Sequence, residues 1–482
     1  MLTKKWRRTP PNPTPEYEFM GPPGTLAMLV LMPMLTYGLY FNCRPGFGCV
    51  PFEWDRSDGL WPSVDSFNLL QIPSNLWGFF LSTWDLDAFL VYSGFIAYLI
   101  ICYFVIPGPI IDGTVVAGVG GTPLTKDRTK YRLKYKLNAF RTLMVTLTIV
   151  SVTLATKGVQ PFLFLYDHFL GLLTASMVWT FALSAFLYLW SFLPDSTGQS
   201  KILAHPGNTG NHLYDFVMGR ELNPRFSASP DSIFDLKYFA ELRPGLIGWV
   251  LVNISMACQQ YQVLDNGRVT NSMVLVLVFE TFYVMDALWN EASILTTMDI
   301  TTEGFGFMLA DAHCSWVPLN YSLQARFLAM FPLEMELWHV LLVVATQTVG
   351  YYIFRSANTQ KDTFRRFGVN DPRNKGLKYL ETGAGSKLLI NGWWGTARHI
   401  NYMGDWMMAL AWSLPCGFNT PIPYYYPIYF AILLIHREIR DEHNCRKKYG
   451  KDWERYCELT EPETEDASNT AKENPDIGAV PH

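Results

Sequence analysis

Two basic side chains in the last third of the sequence are spaced to bind one anion together. Lys361 and Arg365, in IFRSANTQKDTFRR, stand at positions i and i+4, so on a helix both point the same way. An ammonium and a guanidinium on one face can neutralise phosphate, the guanidinium through a bidentate fork. Basic residues at the cytoplasmic end of a membrane helix give the same pattern without a ligand, so charge alone leaves both interpretations open.

A second polar face follows towards the C-terminus. Arg437, Asp441, Cys445 and Tyr449 recur at every fourth position, and Tyr456 extends this face. A carboxylate among bases can orient an arginine and accept hydrogen bonds from a carboxamide-bearing ring, or it can belong to a plain salt-bridge stripe. The sequence has no GxGxxG after a strand, so helix ends and loops, and not a Rossmann unit, would hold any dinucleotide.

A third group of polar residues interrupts an otherwise apolar window. Glu280, Tyr283, Asp286 and Asn290 are spaced by three and four residues, with Glu291 beside them, so on a helix they form one stripe. Ionisable residues are costly at membrane depth, which makes the stripe a candidate proton donor to an apolar substrate. Hydrogen bonding between helices is the alternative explanation.

The composition indicates what must position these groups. The chain has 482 residues, of which 49% are hydrophobic and only 17% charged. We predict an all-α, polytopic integral membrane protein with about ten transmembrane helices, because ten windows are apolar over lengths close to a bilayer span. These windows are 25–40, 89–106, 143–155, 170–193, 245–258, 273–289, 314–331, 338–354, 403–417 and 424–435.

The distribution of charge favours a membrane protein over a large soluble helical one. Lys and Arg lie mainly in alternate loops, which predicts that both termini face the cytoplasm. We predict a short basic N-terminal segment (1–24), a transmembrane domain (25–456) with a cofactor pocket in about 355–456, and a disordered acidic tail (457–482). No metal site is expected, since the cysteines form no CxxC pairs.

Cys43 and Cys49 differ from the other cysteines. The predicted topology puts both in a lumenal loop after the first span, where an oxidising compartment permits a disulfide. Two unpaired loop cysteines remain the alternative.

Four strings in this sequence resemble the sterol reductase family, which includes the Δ14-sterol reductases, 7-dehydrocholesterol reductase and the C-terminal domain of the lamin B receptor. The resemblance extends from about Glu18 to about Tyr456. The strings are GNHLYDFVMGRELNPR, MDITTEGFGFMLA, YYIFRSANTQKDTFR and KLLINGWWGTARHINYMGDWMMALAWSLPCGF. Within the family, GRELNPR and ALAWSLPCGF look like the Δ14-reductase form.

The resemblance implies an NADPH-dependent enzyme of sterol biosynthesis in the endoplasmic reticulum membrane that reduces the C14–C15 double bond. It implies a lipid bilayer and a sterol as partners, and no nucleic acid. It also implies ten transmembrane helices and an NADPH pocket in the C-terminal half that faces the cytoplasm. The cofactor contacts carried over from the family are Lys361, Arg365, Leu389, Trp394, Asn401, Tyr402, Arg437, Asp441, Cys445, Arg446, Lys447, Lys448, Tyr449 and Tyr456.

The chemistry of an isolated alkene suggests the order of steps. Such a bond is too electron-rich to accept hydride directly, so protonation comes first and hydride then quenches the carbocation. Tyr283 matches a family position close to the substrate and is the first candidate for relaying the proton, with Asp286 and Glu291 as second candidates.

Three other functions remain open at this point. A related enzyme would reduce the C7–C8 double bond. The isoprenylcysteine carboxyl methyltransferases share an RHxxYxG-like stretch but lack the counterparts of Lys361, Arg365 and GRELNPR. A non-catalytic protein like the lamin B receptor would carry a long basic N-terminal region.

Overall fold

A computed structural model describes residues 13, 16–44, 48–49, 72–115, 132–193, 201–226, 232–264, 267–460 and 477–479. The chain forms two compact units, Met1–Pro332 and Leu333–His482. The segment predicted to hold the cofactor pocket lies inside the second unit. The predicted ranges of the N-terminal segment, membrane domain and tail stay predictions.

The first unit is mainly helical. Its helices in the described residues are α1 (Gly21–Asn42), α2 (Ile72–Thr83), α3 (Leu86–Val105), α4 (Ala139–Lys157), α5 (Gln160–Asp167), α6 (Phe169–Trp190), α7 (His212–Met218), α8 (Leu236–Leu242), α9 (Pro244–Val263), α10 (Asn271–Trp289), α11 (Met298–Thr301), α12 (Phe307–Asp311) and α13 (Leu323–Met330). Two antiparallel hairpins accompany them, β1 (Cys43–Arg44) with β2 (Gly48–Cys49), and β3 (Ile110–Val115) with β4 (Arg132–Lys136).

Polar side chains fix where several of these helices begin. Asp85 accepts a hydrogen bond from the Ala88 amide at the start of α3, and Asp235 accepts one from Tyr238 at the start of α8. Each bond satisfies an amide that has no partner within its own helix. Local sequence therefore determines these helix starts.

Six helices in the described residues are long and apolar enough to cross a membrane: α1, α3, α4, α6, α10 and, in the second unit, α14 (Leu337–Phe367). The mostly helical structure agrees with the predicted class. The ten predicted windows all overlap helices, but window 314–331 is divided between a π-helix, Ala312–Asn320, and α13. Pro318 explains the wide turn, because proline has no amide to donate to the α-helical ladder. The count of ten spans stays a prediction.

Two of the strings shared with sterol reductases pack against each other in the first unit. Gly219 has φ +87°, and its carbonyl oxygen would lie 1.7 Å from a Cβ on Gly304. A Cβ on Gly306 would lie 2.3 Å from the Gly219 amide nitrogen. Nearby, the fully buried ammonium of Lys237 donates to the Glu303 carbonyl at 2.7 Å. These strings therefore have a structural role in the first unit.

The cysteines of the predicted lumenal loop are paired. A disulfide joins Cys43 to Cys49 across the β1–β2 hairpin. The other six cysteines of the chain are free. The structure thus favours the disulfide over two unpaired thiols.

The second unit combines helices with a small sheet. Its described elements are α14 (Leu337–Phe367), β5 (Lys378–Glu381), β6 (Lys387–Leu389), α15 (Trp393–Thr396), α16 (Ile400–Ser413), α17 (Tyr425–Tyr449), α18 (Lys451–Thr460) and β7 (Ile477–Ala479). The antiparallel sheet has the order β6-β5-β7. Thus α18 ends four residues inside the range predicted as a disordered tail, and three further residues of that range form β7. Residues 461–476 and 480–482 of that tail lie outside the described residues.

Helices α14 and α16 touch through their backbones. A Cβ on Gly350 would lie 2.8 Å from the Gly404 carbonyl oxygen, and one on Gly404 would lie 2.7 Å from the Gly350 carbonyl oxygen. Small residues at a membrane helix crossing permit such an approach, which no larger residue allows. The crossing fixes α14, about three turns before Lys361, against α16.

Candidate functional site

The ammonium of Lys361 packs on an aromatic ring. Its nitrogen lies 4.0 Å from the centre of the Trp394 ring, and the Trp394 indole donates to the Ala357 carbonyl on α14 at 3.0 Å. Gly392, just before α15, has φ +65°, and a Cβ there would lie 2.6 Å from the Gln360 amide. Glycine therefore lets the chain turn tightly enough to bring Trp394 under the lysine.

Lys361 lines a cavity of about 230 Å³ in the second unit, which we call the basic cavity. α14, β6, α17 and α18 all contribute to its wall. The lining residues are Lys361, Phe364, Arg365, Lys387, Leu388, Leu389, Trp394, Arg398, His399, Asp441, Cys445, Tyr449, Trp453 and Tyr456.

The charges of the basic cavity suit an anion. Among the residues that the structure describes, four basic residues line it, against one carboxylate, that of Asp441. Burial lowers the pKa of His399, so this imidazole is neutral at pH 7 and adds no charge. Burial raises the pKa of Tyr456 to about 12, so its phenol keeps its proton. A ligand with several negative charges and aromatic rings fits this wall of cations and aromatic side chains.

A second cavity, of about 570 Å³, adjoins the first, and we call it the apolar cavity. Its wall comes from α16, α17, the segment before α16 and the end of α18. The lining residues are Thr396, Ala397, Arg398, His399, Ile400, Tyr402, Met403, Trp406, Ala431, Leu434, Ile435, Glu438 and Thr460. Met403 and Ile435 are more than half exposed, so apolar surface continues outwards from the cavity.

The two cavities share part of their wall. Arg398 and His399 line both. The Tyr402 hydroxyl, from the apolar cavity, donates to the Asp441 carboxylate of the basic cavity at 2.9 Å. The Tyr402 ring also stacks on His399, with ring centres 4.8 Å apart. This wall could place an anionic cofactor next to an apolar substrate.

The polar stripe of the first unit lies on α10, as the spacing predicted. Glu280 is fully buried, and one of its oxygens accepts hydrogen bonds from the Trp249 indole at 2.7 Å and from the Asn253 amide at 2.5 Å. Tyr283 is half-buried, with its ring centre 6.3 Å from that of Trp249. Asp286 accepts a hydrogen bond from Asn290, one turn further along the helix, at 3.3 Å.

Glu291, just after α10, belongs to a buried ionic network. Its carboxylate pairs with Arg243 at 3.2 Å, accepts the Tyr238 hydroxyl, and accepts the Ala139 amide at the start of α4 at 2.9 Å. Arg243 donates in addition to Asn138 at 2.7 Å. Breaking a buried pair of this kind costs roughly 3–5 kcal/mol. Glu291 therefore joins four segments of the first unit.

Comparison with known proteins identifies the family of this chain. The model of the Ergosterol biosynthesis ERG4/ERG24 family matches residues 13–462. The chain belongs to this family. It is 43% identical to Delta(14)-sterol reductase of Ascobolus immersus, over 92% of this chain and 97% of that protein. It is 43% identical to Delta(14)-sterol reductase erg24 of Schizosaccharomyces pombe, over 92% of this chain and 95% of that protein. Delta(14)-sterol reductase LBR of Gallus gallus is 42% identical over 94% of this chain and 64% of its own length.

The structure brings most of the residues carried over from the ERG4/ERG24 family to one place. Eight of the predicted cofactor contacts line the basic cavity: Lys361, Arg365, Leu389, Trp394, Asp441, Cys445, Tyr449 and Tyr456. Two more lie next to the basic cavity. Tyr402 donates a hydrogen bond to Asp441, and Arg437 interacts electrostatically with Tyr402.

The other four predicted contacts, like Tyr402 and Arg437, do not line the basic cavity. The side-chain amide of Asn401 donates a hydrogen bond to the side-chain oxygen of Asn358 at 3.3 Å. Arg446, Lys447 and Lys448 have exposed side chains. Arg446 pairs with Glu442 on the same helix at 2.8 Å. Consecutive residues of a helix point in different directions, so a run from Cys445 to Tyr449 cannot face one ligand.

Six lining residues were not predicted: Phe364, Lys387, Leu388, Arg398, His399 and Trp453. Sequence signals existed for some of them. Arg398 and His399 lie within three residues of Asn401 in the family string, and Phe364 lies between Lys361 and Arg365. Trp453, on α18, had no such signal.

Proposed function

We propose that this protein is an NADPH-dependent sterol reductase that saturates the C14–C15 double bond. The observation that carries the proposal is the shared wall of the basic and apolar cavities, where Arg398 and His399 line both. A reductase of this kind must hold an anionic hydride donor against an apolar substrate. The relatives named as Delta(14)-sterol reductases, at 43% identity, support the position of the reaction.

The residues of the basic cavity fit a phosphorylated dinucleotide. Among the residues that the structure describes, Lys361 and Arg365 form no ion pair with a carboxylate, and both line the cavity. Their spacing matches two adjacent phosphates, and Trp394 and Tyr456 offer aromatic surface to a ring. When bound, NADPH supplies the hydride. Asp441 is the carboxylate that can accept hydrogen bonds from a carboxamide.

The protein must also deliver a proton. Protonation of one alkene carbon leaves a carbocation at the other, and hydride addition then completes the saturated bond. We propose Tyr283 as the proton donor, with Asp286 and Glu291 as second candidates; water restores the proton to the phenol after turnover. Glu291 is the weakest of the three because Arg243, Tyr238 and Ala139 already occupy its carboxylate.

The apolar cavity is the place we propose for the sterol. Its volume, about 570 Å³, lies within the range of small-molecule pockets. Apolar side chains make up about half of its lining residues, and the polar ones are Thr396, Arg398, His399, Tyr402, Glu438 and Thr460. The exposed apolar side chains beside it, Met403 and Ile435, would let a sterol arrive from the lipid. We further propose that the membrane is that of the endoplasmic reticulum and that both termini face the cytoplasm.

Filling the apolar cavity should weaken sterol binding alone. We expect Ala431→Trp to raise the KM for the sterol about tenfold or more, because the indole occupies substrate volume. The Kd for NADPH should change less than about twofold. The matched control is Ile432→Trp, the next residue on α17, which is 64% exposed and does not line the cavity. Equal effects of both variants, or none from Ala431→Trp, would contradict the assignment.

The proposed reaction is tested with purified protein in detergent. NADPH is supplied with a Δ8,14-diene sterol and, separately, with a 5,7-diene sterol, and products are identified by mass spectrometry. We expect saturation at C14 only. Saturation at C7 only would leave the cofactor assignment intact but refute the proposed regiochemistry. Reduction of neither sterol would refute the proposed function and favour a non-catalytic role or another substrate.

A further inference from the structure

One basic residue of the basic cavity lies apart from the other three. Lys387 begins β6, on the small sheet, whereas Lys361 and Arg365 belong to α14 and Arg398 precedes α16. The Lys387 ammonium contacts Glu381 and the Tyr379 ring, both on β5. By contrast, Arg398 is next to His399 in the sequence, and Tyr402 stacks on His399 and donates a hydrogen bond to Asp441. The basic cavity thus has one end around His399 and another at the β5–β6 hairpin.

The two ends differ in what they adjoin. Arg398 and His399 also line the apolar cavity, so the hydride-donating ring of a dinucleotide must lie at their end. Lys361 and Arg365, one helical turn apart, suit the pyrophosphate in the middle. The adenosine ribose then extends towards the hairpin. In NADPH this ribose carries the 2′-phosphate, the one group that distinguishes NADPH from NADH.

We infer that Lys387 binds the 2′-phosphate and makes this site select NADPH over NADH. The inference rests on the proposed dinucleotide site. Lys387 lines the cavity, and its ammonium nitrogen lies 4.5 Å from the centre of the Tyr379 ring. The nitrogen pairs with Glu381 at 2.8 Å.

Glu381 provides a second test of the assignment, in which the expected change in NADPH affinity has the opposite sign. Both side chains of the pair are well exposed, 38% for Lys387 and 62% for Glu381, and exposed ion pairs contribute little. A phosphate with nearly two negative charges can therefore displace the carboxylate. Because Glu381 competes with the phosphate and repels it, removing its charge should strengthen NADPH binding without affecting NADH.

The experiment measures Kd for NADPH and NADH by calorimetry on the full-length protein in detergent. Adenosine 2′,5′-bisphosphate and 5′-AMP serve as fragments that contain only the adenosine end. For Lys387→Gln we expect NADPH and the bisphosphate to bind about 10- to 100-fold more weakly, with NADH and 5′-AMP changed less than about twofold. For Glu381→Gln we expect NADPH to bind a few-fold more tightly and NADH unchanged.

Lys378→Gln is the matched control. Lys378 lies on β5 of the same hairpin, is exposed, and does not line the cavity, so its removal lowers the net charge without touching the ligand. Equal weakening of NADPH and NADH by Lys387→Gln, equal effects of the two lysine variants, or no effect of Lys387→Gln would overturn the inference. Wild-type protein that binds neither dinucleotide would instead overturn the proposed cofactor site itself.

Discussion

Replacing Tyr283 by Phe is expected to reduce sterol turnover by about 10²- to 10⁴-fold, the usual contribution of a positioned general acid. The change removes one hydroxyl and leaves the ring that faces Trp249 across 6.3 Å. Because the hydroxyl is proposed to act only in proton delivery, the Kd for NADPH should stay unchanged. The measurement is single-turnover sterol reduction, with NADPH affinity determined on the same preparation.

A matched control separates chemistry from structure. Tyr261→Phe removes a hydroxyl from α9 at a side chain that is 43% exposed, and it should leave turnover unaltered. Near-normal turnover of the Tyr283 variant would refute the assignment. Turnover should then be lost in Asp286→Asn, if Asp286 is the donor. Glu291→Gln is a poorer test, because it disturbs the pairing with Arg243 and so the stability of the first unit.

Replacing Lys361 by Met is expected to raise the Kd for NADPH about 10- to 100-fold, since a hydrogen bond to a charged group is worth roughly 1.5–3 kcal/mol. Methionine keeps an apolar stem over the Trp394 ring, so the wall of the cavity should persist. Affinity for NADH should fall by the same factor, because both dinucleotides carry the pyrophosphate that Lys361 is proposed to bind. Calorimetry on the two cofactors measures this directly.

The equal loss for both cofactors distinguishes Lys361 from Lys387. Lys375→Met is the control, since Lys375 is exposed and does not line the basic cavity. Unchanged affinity in the Lys361 variant would remove the phosphate clamp from the proposed site. A loss confined to NADPH would assign the 2′-phosphate to Lys361 and contradict the role given to Lys387.

The helices of this protein were largely predictable from local signals. The apolar windows coincide with helices because a long apolar run can satisfy its backbone in a membrane only by forming one. Their bounds were less predictable. Window 314–331 divides into a π-helix and α13 at a proline whose effect on the turn depends on packing. The pairing of Ile477–Ala479 with β5 joins segments about a hundred residues apart, which no local pattern reports.

The sequence by itself predicted the mostly helical class, the family and eight of the residues that line the basic cavity. Spacing placed Lys361 with Arg365, and it placed Glu280 with Tyr283, because positions on one helix have a fixed geometry. Tertiary structure alone decided which residues from different elements meet. Arg398 and Lys387 join the basic cavity only because α14, α17 and β6 converge there. Glu291 is a structural ion-pair partner because the junction of α8 and α9 brings Arg243 to it. Periodicity fixes directions within one helix, whereas contacts between helices depend on packing across the whole unit.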